Sequence, residues 1–259
     1  MVDSSPNKTA PWGTTAPTSQ ASPASQAAMD EGLRRHFLKI YNYMTTGLLV
    51  SAVTAWAVAF FEPLQVLFFA VTQTPAGYVA SPTLLGWVAI LAPLAIIFIG
   101  PGLVKDGNPR KAMYMYLGFT ALMGISLAQL FIVYTGMSIV RTLLVTAGAF
   151  AGLSLFGYTT KRNLSGWGQF LMVGLIGIII ASLVNFFVQS SMIAFAVSVI
   201  GVLIFAGLIA YDTQRIRRSY YEHARTGQLE ISAVFDALSL YLNFINLFVL
   251  LMRFIGERR

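Results

Sequence analysis

The chain has 259 residues, of which 56% are hydrophobic and only 10% are charged, and its formal net charge is +7. A soluble domain usually has about a quarter of its residues charged, so this composition excludes an ordinary soluble protein and indicates a membrane protein. The absence of cysteine excludes disulfides, thiol catalysis and cysteine-ligated metals. Basic charge placed between apolar runs reports membrane topology, so we expect lipid contact and no nucleic-acid partner.

Two regions follow in chain order. Residues 1–32 begin with a stretch rich in Ser, Thr, Pro and Ala, which predicts a disordered tail. Residues 33–259 predict a single all-α transmembrane domain, since a membrane-spanning helix needs roughly 20 mostly apolar residues. Seven windows meet that requirement: Ile40–Phe61, Leu84–Val104, Ala112–Tyr134, Thr142–Thr160, Phe170–Val188, Met192–Tyr211 and Phe235–Ile255.

The basic residues predict the orientation of these spans. They lie before the first span and after the second, fourth and sixth, so the positive-inside rule predicts a cytoplasmic N-terminus. Seven crossings then put the C-terminus on the other side, although Arg253, Arg258 and Arg259 cluster there. A last segment that re-enters and returns to the cytoplasmic side therefore remains open. The long gap from Glu62 to Thr83 predicts a structured external loop.

The last window carries polar residues on one helical face. Asp236, Ser239, Asn243, Asn246 and Arg253 follow one another at intervals of three, four, three and seven, which forms a heptad-like seam. Ionisable groups are costly at the bilayer centre, so this seam is expected to face the bundle interior or a wet cavity. Its apolar faces are then expected to meet lipid. For Ser239 and Asn246, simple hydrogen bonding between packed helices is an equal alternative.

Asp212 ends the sixth window in the stretch "LIAYDTQRIRR" and allows two interpretations. It is either an interface residue paired with Arg215 one turn later, or a partly buried carboxylate that takes up a proton or a cation. Arg215 and Arg141 are the candidate counter-charges for a buried acid, with an outer-interface anchor preferred for Arg141. The two histidines lie in polar segments, and no fixed metal site is expected.

Small residues recur in "TAGAFAGLSLFGY", residues 146–158. Gly148 and Gly152 are four residues apart and lie on one helical face. Pairs of this kind often let two membrane helices approach closely, so these two glycines are predicted to form a helix-packing surface.

Four motifs in order resemble the Bax inhibitor family, also called transmembrane Bax inhibitor motif proteins, and suggest a bacterial member of the inner membrane. They are "LRRHFLKIYNYMTTGLL", "FGYTTKRNLSGWG", "IAYDTQRIRR" and "ALSLYLNFINLF", between residues 33 and 248. The resemblance implies a seven-helix bundle with the last helix central and six helices around it. It also implies a pH-sensitive calcium leak, in which two carboxylates on the sixth and seventh spans share a proton when the pore is closed.

Asp212 matches the first of these carboxylates, but Asn243 stands at the second position. An asparagine is able to accept a hydrogen bond from a protonated Asp212 and to offer its carbonyl oxygen to Ca²⁺. It does not titrate, so the like-charge repulsion of a carboxylate pair is missing. Asp236 lies seven residues before Asn243, which is about 10 Å along the helix axis. It is either a displaced acid or a residue of the cytoplasmic mouth, and we favour the second interpretation.

The sequence raises two other classes of function, a regulator and an enzyme. Because some bacterial relatives bind and restrain a membrane-anchored protease, the resemblance also supports a regulator that acts by contact and transports nothing. An intramembrane enzyme is disfavoured, since the sequence has no "GxGD" partner for its "YD" and no histidine inside a span. We therefore expect no catalytic activity and no cofactor, with Ca²⁺ as the permeant ion and transiently bound at Asp212.

Overall fold

Seven long apolar helices dominate the computed structural model, which describes residues 23–75 and 77–259. A short helix and a two-stranded hairpin join the first two of them. In chain order the elements are α1 (Pro23–Phe60), α2 (Glu62–Phe68), β1 (Phe69–Thr74), β2 (Gly77–Pro82), α3 (Leu84–Leu103), α4 (Pro109–Val133), α5 (Gly136–Thr159), α6 (Ser165–Val188), α7 (Ser191–Thr226) and α8 (Leu229–Ile255). The prediction of an all-α polytopic membrane protein with seven spans is confirmed.

Short turns separate the helices, and capping residues fix the point at which four of the helices begin. The side chains of Thr83, Asn108, Thr135 and Ser190 each accept a hydrogen bond from a backbone N–H in the first turn of the following helix. Such side-chain oxygens satisfy amide groups that have no partner within the helix. Gly227 has a φ of 70° and ends α7 in the left-handed conformation that glycine adopts without strain.

The predicted tail needs a correction at its end. Helix α1 begins at Pro23, so residues 23–32 are helical, whereas residues 1–22 of the predicted tail lie outside the described residues. Glu31 accepts hydrogen bonds from Arg34 and Arg35, one turn further along the helix. Ion pairs with this spacing stabilise a helix, and the preceding alanines favour one as well.

The gap between Glu62 and Thr83 is structured, as predicted. Helix α2 leads into an antiparallel hairpin in which Phe69 pairs with Pro82 and Thr74 with Gly77. Phe69, the first residue of β1, is buried in a small apolar cluster with residues of α1 and α4. We call the end of the bundle that carries this hairpin the hairpin end, and the opposite end, where the loops between α3 and α4 and between α5 and α6 lie, the basic end.

The C-terminus lies at the hairpin end. Thr135 in the α4–α5 turn donates its backbone N–H to the Glu257 carbonyl at 2.9 Å, and Arg259 donates to the Val133 carbonyl at 2.9 Å. Helix α8 is continuous over 27 residues, which corresponds to about 40 Å. A re-entrant last segment is therefore excluded, and α8 crosses the bundle from the basic end to the hairpin end.

Helix α7 is much longer than the window that predicted it. It has 36 residues and continues from Tyr211 to Thr226, giving a length of about 54 Å against a hydrocarbon core of about 30 Å. At the basic end, Tyr220 of α7 packs on His36 of α1, with ring centroids 5.3 Å apart. Asp212 consequently lies inside a continuous helix and not at its end.

Helix α8 is the most buried helix of the bundle and packs against α1, α4, α5 and α7. The central position predicted for it is confirmed, but the other helices do not surround it evenly, because α3 packs chiefly on α4 and α6 on α7. Leu238 and Ile245 are buried, at 9% and 5% exposure. The expectation that the apolar faces of α8 meet lipid was therefore wrong, since the neighbouring helices cover them.

The packing face of α5 also differs from the prediction. Nothing lies within 4 Å of a Cβ built at Gly148 or Gly152, and both residues are exposed. The buried stripe instead runs along Thr142, Thr146, Phe150, Ser154 and Gly157. Gly157 is where α5 and α7 approach each other, because a Cβ there would overlap the backbone of Ala210.

Candidate functional site

Asp212 is held between α7 and α8 by two hydrogen bonds. Its Oδ2 accepts one from the Ser239 hydroxyl at 2.6 Å and one from the Asn243 amide at 2.8 Å. The carboxyl side chain is only 8% exposed. Asn243 is thus a donor to Asp212, and not the acceptor expected from the sequence, which is the arrangement that suits an ionised carboxylate.

Arg215 joins Asp212 to a second carboxylate. Its Nη2 atom lies 3.3 Å from Oδ1 of Asp212 and 3.6 Å from Oδ1 of Asp236. The Asp236 side chain is 13% exposed, whereas that of Arg215 is 44% exposed and reaches toward solvent. Two carboxylates therefore face one guanidinium, and the cluster retains one formal negative charge. Asp236 is part of this cluster and not simply a residue of the mouth.

One oxygen of the cluster has no partner. Within residues 23–75 and 77–259, two buried side-chain polar atoms make no hydrogen bond, and these are Oδ2 of Asp236 and Nδ1 of His223. A buried polar atom without a partner carries a desolvation cost of about 1–3 kcal/mol. The free oxygen of Asp236 thus leaves the cluster with capacity for another donor or a cation.

A cavity of about 950 Å³ opens beside Asp212. It runs from the level of Asp212 and Arg215 toward Arg253, near the hairpin end of α8. Helices α3, α4 and α6 contribute mostly apolar side chains to its wall, while α7 and α8 contribute all its charged groups and the amides of Asn243 and Asn246. The polar and charged residues that line it are Ser126, Gln169, Ser182, Asp212, Arg215, Ser239, Asn243, Asn246 and Arg253.

Most of the seam predicted on α8 lines this cavity. Ser239, Asn243, Asn246 and Arg253 contribute to its wall, whereas Asp236 lies on the far side of Arg215 and does not. Asn246 donates to the Leu242 carbonyl of its own helix at 2.9 Å. This hydrogen bond lies within α8, and the position of Asn246 at the cavity favours a role as a wall residue over one in helix packing.

The two candidate counter-charges have different positions. Arg215 is in the carboxylate cluster, but Arg141 lies at the hairpin end, 3.8 Å from Glu257, with both side chains more than half exposed. Arg141 consequently lies at the surface of the hairpin end and does not face Asp212.

A hydrogen-bond network around Gln214 was not predicted from the sequence. Gln214 accepts from the Leu164 N–H and donates to the Arg162 carbonyl, at 2.9 and 2.8 Å, and Arg218 donates to the Gln214 side chain and to Ser165. The network fixes the α5–α6 loop against α7, next to Arg215. The only hint in the sequence is that Gln214 is an uncharged polar residue among arginines.

A second unpredicted network lies in the core. The Ser51 hydroxyl contacts the Tyr241 hydroxyl at 2.6 Å and donates to the Thr120 carbonyl at 2.7 Å, so it joins α1, α4 and α8. Tyr116 and Phe119 pack edge-on against the Tyr241 ring. These residues position the central helix, and Phe119 also lines the large cavity.

Over the described part of the chain, no group of three or more histidine, aspartate or glutamate side chains is arranged to hold a metal ion. The carboxylates of Asp212 and Asp236 are neutralised in part by the Arg215 guanidinium, so this cluster is not a preformed metal site. It is an ion-pairing cluster at the end of a cavity.

Comparison with known proteins identifies the chain. The family model described as "Inhibitor of apoptosis-promoting Bax1" matches residues 33–259. The chain belongs to the Bax inhibitor family. The resemblance inferred from the four motifs is thereby confirmed, and the match covers all seven apolar helices except the start of α1.

Relatives of this Bax inhibitor protein occur in several bacteria. A protein of Caulobacter vibrioides is 45% identical over 92% of this chain and 95% of its own length. Protein RP147 of Rickettsia prowazekii is 43% identical over 89% of this chain and 92% of its own. The inner membrane protein YbhL of Escherichia coli is 39% identical over 88% of this chain and 94% of its own. With its seven apolar helices, the Bax inhibitor protein described here is a multi-pass membrane protein.

Proposed function

We propose that this Bax inhibitor protein is a pH-sensitive Ca²⁺ leak channel of the bacterial inner membrane. The observation that carries the proposal is the position of Asp212, a nearly buried carboxylate at one end of a cavity that follows the polar face of α8. Hard oxygen ligands suit Ca²⁺, and a carboxylate inside a membrane protein marks an ion path more often than a purely structural role. The proposal involves no catalysis and no cofactor.

The orientation is part of the proposal. The basic end carries the loop with Lys105, Arg110 and Lys111 and the loop with Lys161 and Arg162. The positive-inside rule places these loops, and the start of α1, in the cytoplasm. Asp212 and Arg215 then lie toward the cytoplasmic end of the cavity, and Arg253 lies toward the external end.

The pH sensitivity rests on Asp212. In its ionised form it accepts hydrogen bonds from Ser239 and Asn243 and pairs with Arg215. The charged and titratable groups near it are Arg215 of α7 and Asp236 of α8, and Asp236 in turn has His223 of α7 as a neighbour. Protonation removes the negative charge that attracts a cation into this end of the cavity, so we expect the flux to fall as the pH falls.

The test is Ca²⁺ flux into proteoliposomes across a range of pH. Asp212→Asn keeps the shape of the side chain but cannot ionise, so its flux should be low and insensitive to pH. Asn243→Asp restores a carboxylate pair and should steepen the pH dependence, because two adjacent carboxylates repel and titrate in separate steps. Asp106→Asn is the matched control, since Asp106 is an exposed acid that pairs with Lys111 in the α3–α4 loop.

Two results contradict the proposal. One is the absence of Ca²⁺ flux in wild-type protein whose folding has been verified. The other is a pH profile of Asp212→Asn that matches those of the wild type and the control.

The regulator alternative stays a prediction. It expects no flux and a membrane-anchored protease bound in stoichiometric amount, which crosslinking in native membranes would recover. Recovery of no such partner would count against it.

A further inference from the structure

A second, smaller cavity lies at the basic end, on the other side of Arg215. It measures about 180 Å³ and is lined by Ser165, Tyr211, Arg215, Arg218, Ser219 and Glu222. Tyr211 and Arg215 also line the large cavity of about 950 Å³. These two side chains therefore separate the large cavity from the polar pocket at the basic end.

The Tyr211 ring is held in place by Gly168 of α6. A Cβ at Gly168 would overlap the Tyr211 ring, so the glycine provides the space in which the ring packs. The α5–α6 loop that leads into α6 is tied to α7 through Gln214. The ring is thus clamped between two helices whose spacing at this level is fixed by hydrogen bonds.

Arg215 stands where a cation would bind. Its guanidinium lies within 3.6 Å of carboxylate oxygens of both Asp212 and Asp236. The remaining oxygen of Asp236, Oδ2, is buried and has no hydrogen-bond partner. Ser239 and Asn243 add a hydroxyl and an amide at the same place. Without Arg215 these groups would form a doubly negative set of oxygen ligands, which is the kind of site that Ca²⁺ prefers.

We infer that Arg215 is a tethered counter-cation that, together with Tyr211, closes the basic end of the cavity, and that the site beneath it binds a divalent cation when the guanidinium leaves. A tethered cation of this kind excludes mobile cations as long as it stays paired. This inference rests on the proposed leak function, but it concerns a site and a barrier that are both measurable without transport.

The first test measures Ca²⁺ binding to purified protein in detergent by equilibrium dialysis at neutral pH. Arg215→Gln should bind one Ca²⁺ roughly tenfold or more tightly than the wild type, because one positive charge next to the ligands is lost. Adding Asp236→Asn to that variant should reverse the gain. Arg217→Gln is the matched control, since Arg217 contacts Tyr158 and loses the same charge two residues away.

The second test measures access to the cavity and uses the absence of native cysteine. A single cysteine at Leu242, which lines the large cavity, is labelled with a positively charged, membrane-impermeant thiol reagent applied from the basic end. Labelling should be slow in the wild-type background. It should become at least roughly tenfold faster with Arg215→Gln, which removes the paired cation, or with Gly168→Ala, which displaces Tyr211.

The results separate this inference from the proposed function. If Arg215→Gln is folded and binds Ca²⁺ no better than Arg217→Gln, the cation site is refuted. If Arg215→Gln does not fold, unchanged labelling in Gly168→Ala refutes the barrier. Tighter binding and faster labelling without flux in any variant would uphold the inference and overturn the leak channel instead.

Discussion

Replacing glycine by alanine is expected to have opposite effects on stability at Gly157 and at Gly148, which both lie on helix α5. Gly157→Ala should destabilise the protein, because a Cβ at this position would lie 3.0 Å from the carbonyl carbon and the Cα of Ala210 and would overlap its carbonyl oxygen. Gly148→Ala should be neutral or stabilising, because nothing lies within 4 Å of the added Cβ. The two glycines are nine residues apart on one helix, so each serves as the control for the other.

The magnitudes follow from two opposing effects. Replacing glycine by alanine inside a helix gains about 0.5–1 kcal/mol at either position, since alanine loses less conformational entropy. Overpacking typically costs about 1–3 kcal/mol. The cost at Gly157 should lie at the upper end of that range, because its neighbours are backbone atoms of α7, which no rotamer change can move. We therefore expect a net loss of about 2 kcal/mol for Gly157→Ala.

The assay is the apparent melting temperature of each purified variant in the same detergent, followed by intrinsic fluorescence and by size-exclusion chromatography of heated samples. Gly157→Ala should melt below the wild type and Gly148→Ala at or slightly above it. If Gly157→Ala melted at the wild-type temperature, the conclusion that α5 and α7 approach closely at Gly157 would be refuted. If Gly148→Ala melted as low as Gly157→Ala, the exposed face of α5 would be wrong.

Two further substitutions probe the basic end and the hairpin end. Gln214→Leu should lower the melting temperature and speed amide hydrogen exchange in residues 160–165. Each lost hydrogen bond, to Leu164 or to Arg162, leaves a backbone group unsatisfied, which costs about 1–3 kcal/mol where that group is buried. Unchanged hydrogen exchange would contradict this prediction. Arg141→Gln should change the free energy of unfolding by no more than about 0.5 kcal/mol, because the ion pair between Arg141 and Glu257 is exposed. A clear fall in melting temperature would show that this pair stabilises the protein more than its exposure indicates.

The number of spans was predictable from the sequence because it depends on local patterns, whereas the central position of the last helix was implied by the family resemblance. A run of about 20 apolar residues requires a helix in a bilayer, whatever its neighbours are. The seam on α8 was predictable for the same reason, since a helix repeats its faces every 3.6 residues. The periodicity indicated that Ser239, Asn243 and Asn246 share a face, and they do line one cavity.

What the sequence could not predict depends on contacts between distant segments. The apolar faces of α8 were expected to meet lipid, because periodicity shows which residues share a face but not what covers that face. The same limit applies to Gly148 and Gly152, whose spacing is typical of packing glycines although no helix lies against them. The Gln214 network joins residues that are 50 and 52 positions apart, and no local pattern connects them.

The position of Asp236 changes the meaning of the asparagine at position 243. With an amide there, Asp212 has no carboxylate directly opposite it on α8, and the sequence left open whether Asp236 is a displaced acid or a residue of the cytoplasmic mouth. Arg215 instead links Asp212 to Asp236, which lies seven residues before Asn243 on α8, or about 10 Å further toward the basic end along the helix axis. The cluster therefore still contains two carboxylates, but a guanidinium stands between them in place of a shared proton. Under the proposed leak function, the barrier would depend on the movement of Arg215 as well as on the protonation of Asp212. The substitutions at Arg215 and at Asn243 therefore test different parts of the proposal.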